Sequence, residues 1–462
     1  MRATSHSTPA ILVAALAGSF YALAAGSAWA WNLEEASAPY KGQTITIACE
    51  AYAPCNAFKK FIPEFEQRTG IKVTIEAGDL GQIQQQTLTD ALTGTQVYDL
   101  VQMTNLVIGA WGEHGFAEPM QPFLDNAALH DPGYKLEDMS QGVIASTGTY
   151  KGVLYGIPYM LNSPFGIYRK DLAADPAEQA AFKAKYGYDT PFNGDKWIEV
   201  DDWQKWRDVA EFYNRKPGEK VAGQTLDHEL WGTAAAFKRH ITLFYDYERV
   251  LLGMGGVMVD ENRVPQFDKP VAKQALEYLL DWRQFSPPSY KEYTWDEGYA
   301  DFCTGKLFSN TGWADSTAME EKPEECPVVS GKIGYFLHPG PHTVADGASW
   351  VIPSKSQHKE AAFLLAQFLG TYDVQSRCHP LGCLSFRKDV LANPELDDDG
   401  ATVLFRKLLS DPNLVYPRPA LPEWVELQPL LLDELSAAGA DQQDADTALA
   451  KLQAAFTEIL QP

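Results

Sequence analysis

The sequence predicts an α/β fold of two lobes, with mostly parallel sheets flanked by helices, and three observations carry that prediction. Apolar alternation and helical periodicity succeed one another over residues 44–102 as a β-α-β-α-β series, which builds a mostly parallel sheet through right-handed crossovers. With its first 30 residues set aside, the 462-residue chain keeps 432, too many for one ordinary core and enough for two of roughly 200 each. Near residue 160 the text changes from this series to Trp- and Tyr-rich helices, marking a border between lobes.

The alternation Thr44-Ile45-Thr46-Ile47 reads as the first strand. It leads into a helix on which Phe58, Phe61, Ile62 and Phe65 recur at i, i+3, i+4 and i+7, closed by Gly70. A strand over 71–75, a helix over 82–92 stopped by Gly94, and a strand over 98–102 complete the series. Ligands of such open sheets sit beyond the carboxyl ends of the strands. Residues 150–159 form a turn and an extended segment, followed by helices over 202–214, 240–253 and 270–285, the last closed by Pro287-Pro288. An extended run over 348–353 precedes a helix over 359–369 with an Ala/Phe/Leu face. The final helix, over 447–460, has Asp446 as its expected N-cap and sets Leu449, Leu452, Phe456 and Ile459 on one side. No internal repeat or heptad run is present.

Residues 1–30 read as a signal peptide: Arg2, an apolar run over 10–25, and Ala28-Trp29-Ala30 as the cleavage motif. That run is shorter than the roughly 20 residues of a membrane-spanning helix, and no later stretch approaches that length without charges. The first cysteine is Cys49, so nothing near the cleavage point could be acylated. A soluble periplasmic monomer, not a lipoprotein, is expected. The chain has 38 Lys and Arg against 61 Asp and Glu; Arg2 is the leader's sole charge, so the remainder stands at −24. Such a balance argues against nucleic acid or anionic membrane as partner.

Six cysteines in an exported chain imply disulfides, and spacing favours the local pairs Cys49 with Cys55, Cys303 with Cys326 and Cys378 with Cys383. Two of these bracket loops placed near the expected cleft, where rigidity pre-organises. No metal or other cofactor is expected. C-x-x-C and tight Cys/His clusters are absent, and Pro339 and Pro341 preclude a regular helix across His338-x-x-x-His342. Asp397-Asp398-Asp399-Gly400 lacks the periodicity of a calcium loop and reads as a solvated turn. Neither a phosphate-cradling Gly-rich loop nor a G-x-S-x-G elbow appears.

An ordered set of segments then carries a resemblance. Phe61-Ile62-Pro63-Glu64-Phe65-Glu66 with Gly70-Ile71-Lys72-Val73, Tyr98-Asp99-Leu100-Val101, Gly115-Phe116-Ala117-Glu118-Pro119-Met120, Lys151-Gly152-Val153-Leu154-Tyr155-Gly156-Ile157-Pro158, Tyr168-Arg169-Lys170-Asp171-Leu172, Thr304-Gly305-Lys306 and His358-Lys359-Glu360-Ala361-Ala362 follow one another along the chain. In order and spacing they resemble the bacterial extracellular solute-binding protein family 1, which includes maltose-type and other sugar-binding proteins. The resemblance implies a two-lobe, type II periplasmic-binding-protein-like fold, with residues 31–160 plus 350–395 as lobe one and 161–349 plus 396–462 as lobe two. Three hinge crossings would restrain twist while letting the lobes close on ligand. It also implies a non-catalytic component of an ABC importer, whose closed form the membrane permease recognises.

A sugar or polyol presents hydroxyls and apolar C–H faces, so its site needs aromatic plates with planar carboxylate or amide groups. Position selects Glu50, Tyr52 and Asn56 after the first strand, and Gln102 and Asn105 after the third. At the first crossing Tyr159 and Asn162 stand where members of the resembled family often contact ligand. Trp313 and Asp315 follow Thr304-Gly305-Lys306, where that family places a cleft aromatic. Phe237 and His240 fall between an expected strand and a helix starting at Ile241, Trp350 follows Gly347 on a crossing strand, and Arg418 lies in Tyr416-Pro417-Arg418-Pro419. Structural roles compete throughout: Glu50 as a charge at a helix start, Asn56 as an N-cap, Tyr159 packed beneath the hinge, Trp313 as a core plug, Arg418 in a surface salt bridge. Maltose-type relatives tend to carry an aromatic near the position of Met103, and its absence here argues against long maltodextrins. A polyamine on the same scaffold is the nearest alternative ligand. A secreted glycoside hydrolase is the alternative from another class, although nothing marks two carboxylates as catalytic.

Overall fold

The computed structural model describes residues 31–461 apart from 345, 397–399, 412, 413 and 417. The expected signal peptide and the Asp397-Asp398-Asp399 turn lie outside the described residues. The first of two main sheets has the strand order Lys72–Gly78, Thr44–Glu50, Leu100–Met103, Asp346–Val351, Gly156–Asn162. Its first three strands run parallel, with Thr44 opposite Lys72 and Ile47 opposite Leu100, as the βαβ order requires. Asp346–Val351 pairs antiparallel with both of its neighbours, so the sheet becomes mixed where the chain returns through the hinge. The second sheet has the order Ser309–Trp313, Pro164–Arg169, Ile333–Leu337, Trp197–Glu199; only its last pair is parallel.

Ser163 alone separates Gly156–Asn162 of the first sheet from Pro164–Arg169 of the second. The chain changes back between Leu337 and Asp346. Both hinge strands belong to the first sheet along their lengths, so the passages fall just after the expected 160/161 border and just before 349/350. Later, helix Lys359–Leu369 packs on the first sheet, and helix Gly400–Ser410 packs on Ala314–Ser316 beside the second.

Local chemistry explains several element ends. The helix expected through Phe58 and Phe65 is two helices, Ala53–Phe58 and Ile62–Thr69. Pro63 falls in the first turn of the second, where its missing N–H costs nothing, and the break precedes it. Gly70 and Gly94 end their helices at φ 71° and 69°, left-handed values that glycine adopts without strain. The last helix, Ala445–Leu460, is capped by Asp444 rather than Asp446, its carboxylate accepting from the Thr447 N–H at 2.8 Å.

Aromatic packing builds both cores. Phe65 and Phe368 meet at 5.5 Å over the first sheet, and in the other lobe Trp206 packs at 4.4 Å on Trp282 and 4.8 Å on Phe336. The structure pairs Cys49 with Cys55, Cys303 with Cys326 and Cys378 with Cys383. The first bridge ties the end of strand Thr44–Glu50 to helix Ala53–Phe58, fixing the loop that holds Glu50 and Tyr52. Among the described residues no helix is long and apolar enough to cross a membrane.

Candidate ligand-binding site

Between the lobes lies a cavity of about 440 Å³. Strand Thr44–Glu50 ends at its wall, and the Glu50 N–H donates at 2.9 Å to the side-chain carbonyl of Gln102, from the third strand. The Gln102 amide in turn donates to the Tyr52 hydroxyl at 3.4 Å. These bonds lock the two strand-end loops together. Burial pushes the Glu50 carboxyl well above its usual range, and the Asp315 and Asp79 carboxylates add to the effect against the opposing Gln102 bond. Met160, Asn162, Asp346 and Gly347 of the hinge strands complete this side. A Cβ on Gly347 would lie 2.5 Å from the Met160 carbonyl, so only glycine permits these strands their close approach.

The facing wall is aromatic. A capping box between Thr294 and Glu297 starts helix Trp295–Cys303, presenting Trp295, Asp296 and Tyr299 to the cavity. The Trp313 N–H donates to the Tyr299 hydroxyl at 3.0 Å, and the Trp313 ring meets Tyr245 edge-on at 4.8 Å. Across the back, Asn162 donates from the hinge to Asp315 at 3.2 Å. Burial raises the Asp315 carboxyl to about 6, with the Asn162 bond opposing.

Glu50, Tyr52, Gln102, Asn162, Trp313 and Asp315 line this cavity, as does Asn56. Six other expected ligand residues stand outside the lining. Strand alternation turns Tyr159 away from the cleft-lining Met160, and its ring packs at 4.2 Å on Trp350 and 5.3 Å on Phe58. Trp350, 1% exposed, is therefore floor packing as well; the strand register shifts between Ala348 and Ser349. Asn105 begins helix Asn105–Glu113 with its amide turned to the Ser146 carbonyl at 2.7 Å. Phe237 is buried against Tyr290 and beneath Gly439, because the stretch before helix Ile241–Gly253 is irregular rather than a strand. Arg418 is buried in an ion-pair network with Glu248 and Asp346 and does not reach the cavity.

His240 occupies the interlobe rim outside the cavity lining. Its ring caps helix Ile241–Gly253 and stands 3.7 Å from Asp79, which caps helix Leu80–Thr93 of the opposite lobe. Because this contact spans the opening, His240→Ala is expected to raise the ligand dissociation rate about 2- to 5-fold, the scale of one exposed pair, and to leave the association rate within about 2-fold. Stopped-flow tryptophan fluorescence checks both rates.

Tyr245, Trp295, Asp296, Tyr299 and Asp346 line the cavity without having been expected. The Thr294-x-x-Glu297 capping box ahead of an aromatic helix was a readable signal for three of them. Tyr245 shares a helical face with Thr242, Asp246 and Arg249, but every residue of helix Ile241–Gly253 is buried, so that stripe does not mark a solvent face. No group of three or more His, Cys, Asp or Glu poised for a metal ion occurs among the described residues.

The family model for bacterial extracellular solute-binding proteins matches residues 56–376. A mannitol-binding protein of Pseudomonas aeruginosa is 25% identical over 293 residues, covering 61% of this chain and 58% of that protein. The match thus spans little more than half the length of that relative. An ABC transporter solute-binding protein of Agrobacterium radiobacter in complex with ribitol superimposes with a TM-score of 0.78 at 22% identity, covering 91% of this chain and 99% of the other. One from Agrobacterium vitis with bound D-mannitol gives 0.72 at 22%, covering 90% and 98%. The fold is thereby that of the type II periplasmic binding proteins.

Proposed function

Because the chain belongs to the bacterial extracellular solute-binding protein family, we propose that it is the periplasmic, monomeric binding component of an ABC importer. In this reading it takes a sugar alcohol, a sugar or a short oligosaccharide into the interlobe cleft and hands it unaltered to the permease. One observation carries it: planar acceptors on Glu50, Asp315 and Asp346 and the amides of Gln102 and Asn162 face the rings of Trp295, Tyr299 and Trp313 across one cavity. Hydroxyls donate to such carboxylates in charge-assisted bonds while apolar C–H faces lie on the rings. A cavity of about 440 Å³ suits a short guest. The ribitol and D-mannitol held by the relatives of like fold favour the sugar alcohols.

The excess of cleft carboxylates favours a second reading, a polyamine held by charge and cation–π contact. A thermal-shift panel of sugar alcohols, monosaccharides, disaccharides, putrescine and spermidine separates the two. The first reading expects a rise of several degrees with at least one polyol or sugar, since a ligand at 100 times its Kd stabilises by about 2.7 kcal/mol. That shift survives added salt, and the compound is recovered with its mass unchanged. A midpoint moved only by the polyamines, and less so in salt, replaces it with the second.

A further inference from the structure

We propose that Asp346 is the specificity-determining acceptor of the cleft and that Arg418, which does not reach the cavity, is its positioning residue. This rests on the reading of the ligand as a donor-rich polyol or sugar. Asp346 opens the returning hinge strand and lines the cavity while remaining only 4% exposed. Behind it the Arg418 guanidinium spends most of its fork on Glu248, with Nε 2.8 Å from Oε1 and Nη2 2.5 Å from Oε2. Asp346 receives only Nη1, at 3.3 and 3.5 Å from its two oxygens, and the same Nη1 lies 3.4 Å from the side-chain amide oxygen of Asn105.

Two buried carboxylates thus share one guanidinium, and Asp346 holds the weaker half. A carboxylate offers about four lone-pair sites, and burying one without donors costs free energy. Besides Nη1, Asp346 has the hydroxyl of Tyr245 beside it, and it lines the cavity. A hydroxyl group of a bound polyol supplies the missing donor, whereas a group without a hydrogen to give leaves the deficit. Asp315, by contrast, already has an amide partner in Asn162. Arg418 matters through its planar fork, which reaches Glu248 of one lobe, Asn105 of the other and Asp346 of the hinge together, a geometry no lysine ammonium reproduces.

Calorimetric titration with ribitol, D-mannitol and D-glucitol tests this on the full mature chain, using wild type, D346N, R418K and the double variant. For the tightest of the three polyols, D346N is expected to bind on the order of 10- to 100-fold more weakly, the scale of one charge-assisted bond, with the melting point of the empty protein retained. R418K is expected to lose roughly 3- to 10-fold, and the double variant to bind no more weakly than D346N alone, because a positioning residue has nothing left to position. Wild-type affinity in D346N, or losses that multiply in the double variant, overturns the proposal; should R418K fail to fold, D346N alone decides the role of Asp346. If wild type binds none of the three polyols, the polyol reading itself fails and this proposal with it, a result distinguishable because no variant is involved.

Discussion

Trp313→Ala is expected to weaken binding of a cognate polyol or sugar by more than about 1 kcal/mol, upwards of 5-fold in Kd, with the lobe still folded. The ring is half-buried at the end of strand Ser309–Trp313, edge-on to Tyr245, and its backbone is fixed by the Tyr299 hydroxyl. It is thus held in place before any ligand arrives, and pre-organised aromatic surface loses little entropy on binding. The Trp313 backbone bond to Tyr299 survives in alanine, and the half-buried ring packs against the edge of the core that holds Trp206 and Trp282 rather than inside it. Trp313→Phe should recover most of the loss. Titration calorimetry showing unchanged affinity in a folded alanine variant removes Trp313 from the site.

Asp315→Asn is expected to act in opposite directions on stability and binding. Burial raises the Asp315 carboxyl from 3.8 to about 6 in the folded protein, so between those values the folded state holds more protons than the unfolded state. Stability of the empty protein therefore falls as pH rises through that window, and above about 6 the ionised, buried carboxylate is a standing cost. Asparagine removes the cost. At neutral pH the empty variant should be more stable than wild type, by on the order of 1–3 kcal/mol, with the difference fading below about pH 4. Ligand hydroxyls donate to the ionised form, so wild-type affinity should weaken as pH falls through about 6, and the variant should bind more weakly at neutral pH with less of that acid dependence. Denaturant unfolding and calorimetry across pH check the two halves; equal stability at neutral pH with retained affinity contradicts both.

How much of this was legible in sequence depended on the distance over which each feature is determined. Gly70 and Gly94 were readable as helix ends because a positive φ is a local demand. Glu50 and Gln102 were readable as cleft residues because parallel strands must end at a common edge, which follows from the βαβ order. Tyr159 and Trp350 looked as suitable as Trp313 by residue type, but which face a hinge strand shows depends on register, and one residue of offset buries the ring. The second sheet was hardly visible: Trp197–Glu199 is three residues long, and Ile333–Leu337 is buried nearly throughout, so neither alternates cleanly. Arg418 was found, yet its role was not, because Glu248 and Asp346 lie 170 and 72 residues away in the chain.

Small-angle X-ray scattering of the mature protein, titrated with the tightest-binding member of the polyol and sugar panel, tests the central claim most directly. Two lobes joined through Ser163 and the segment between Leu337 and Asp346 should draw together as Asp346, Asp315 and the facing rings take up the guest, giving a saturable fall in radius of gyration at the calorimetric Kd. A scattering profile that stays the same from empty to saturated protein contradicts it.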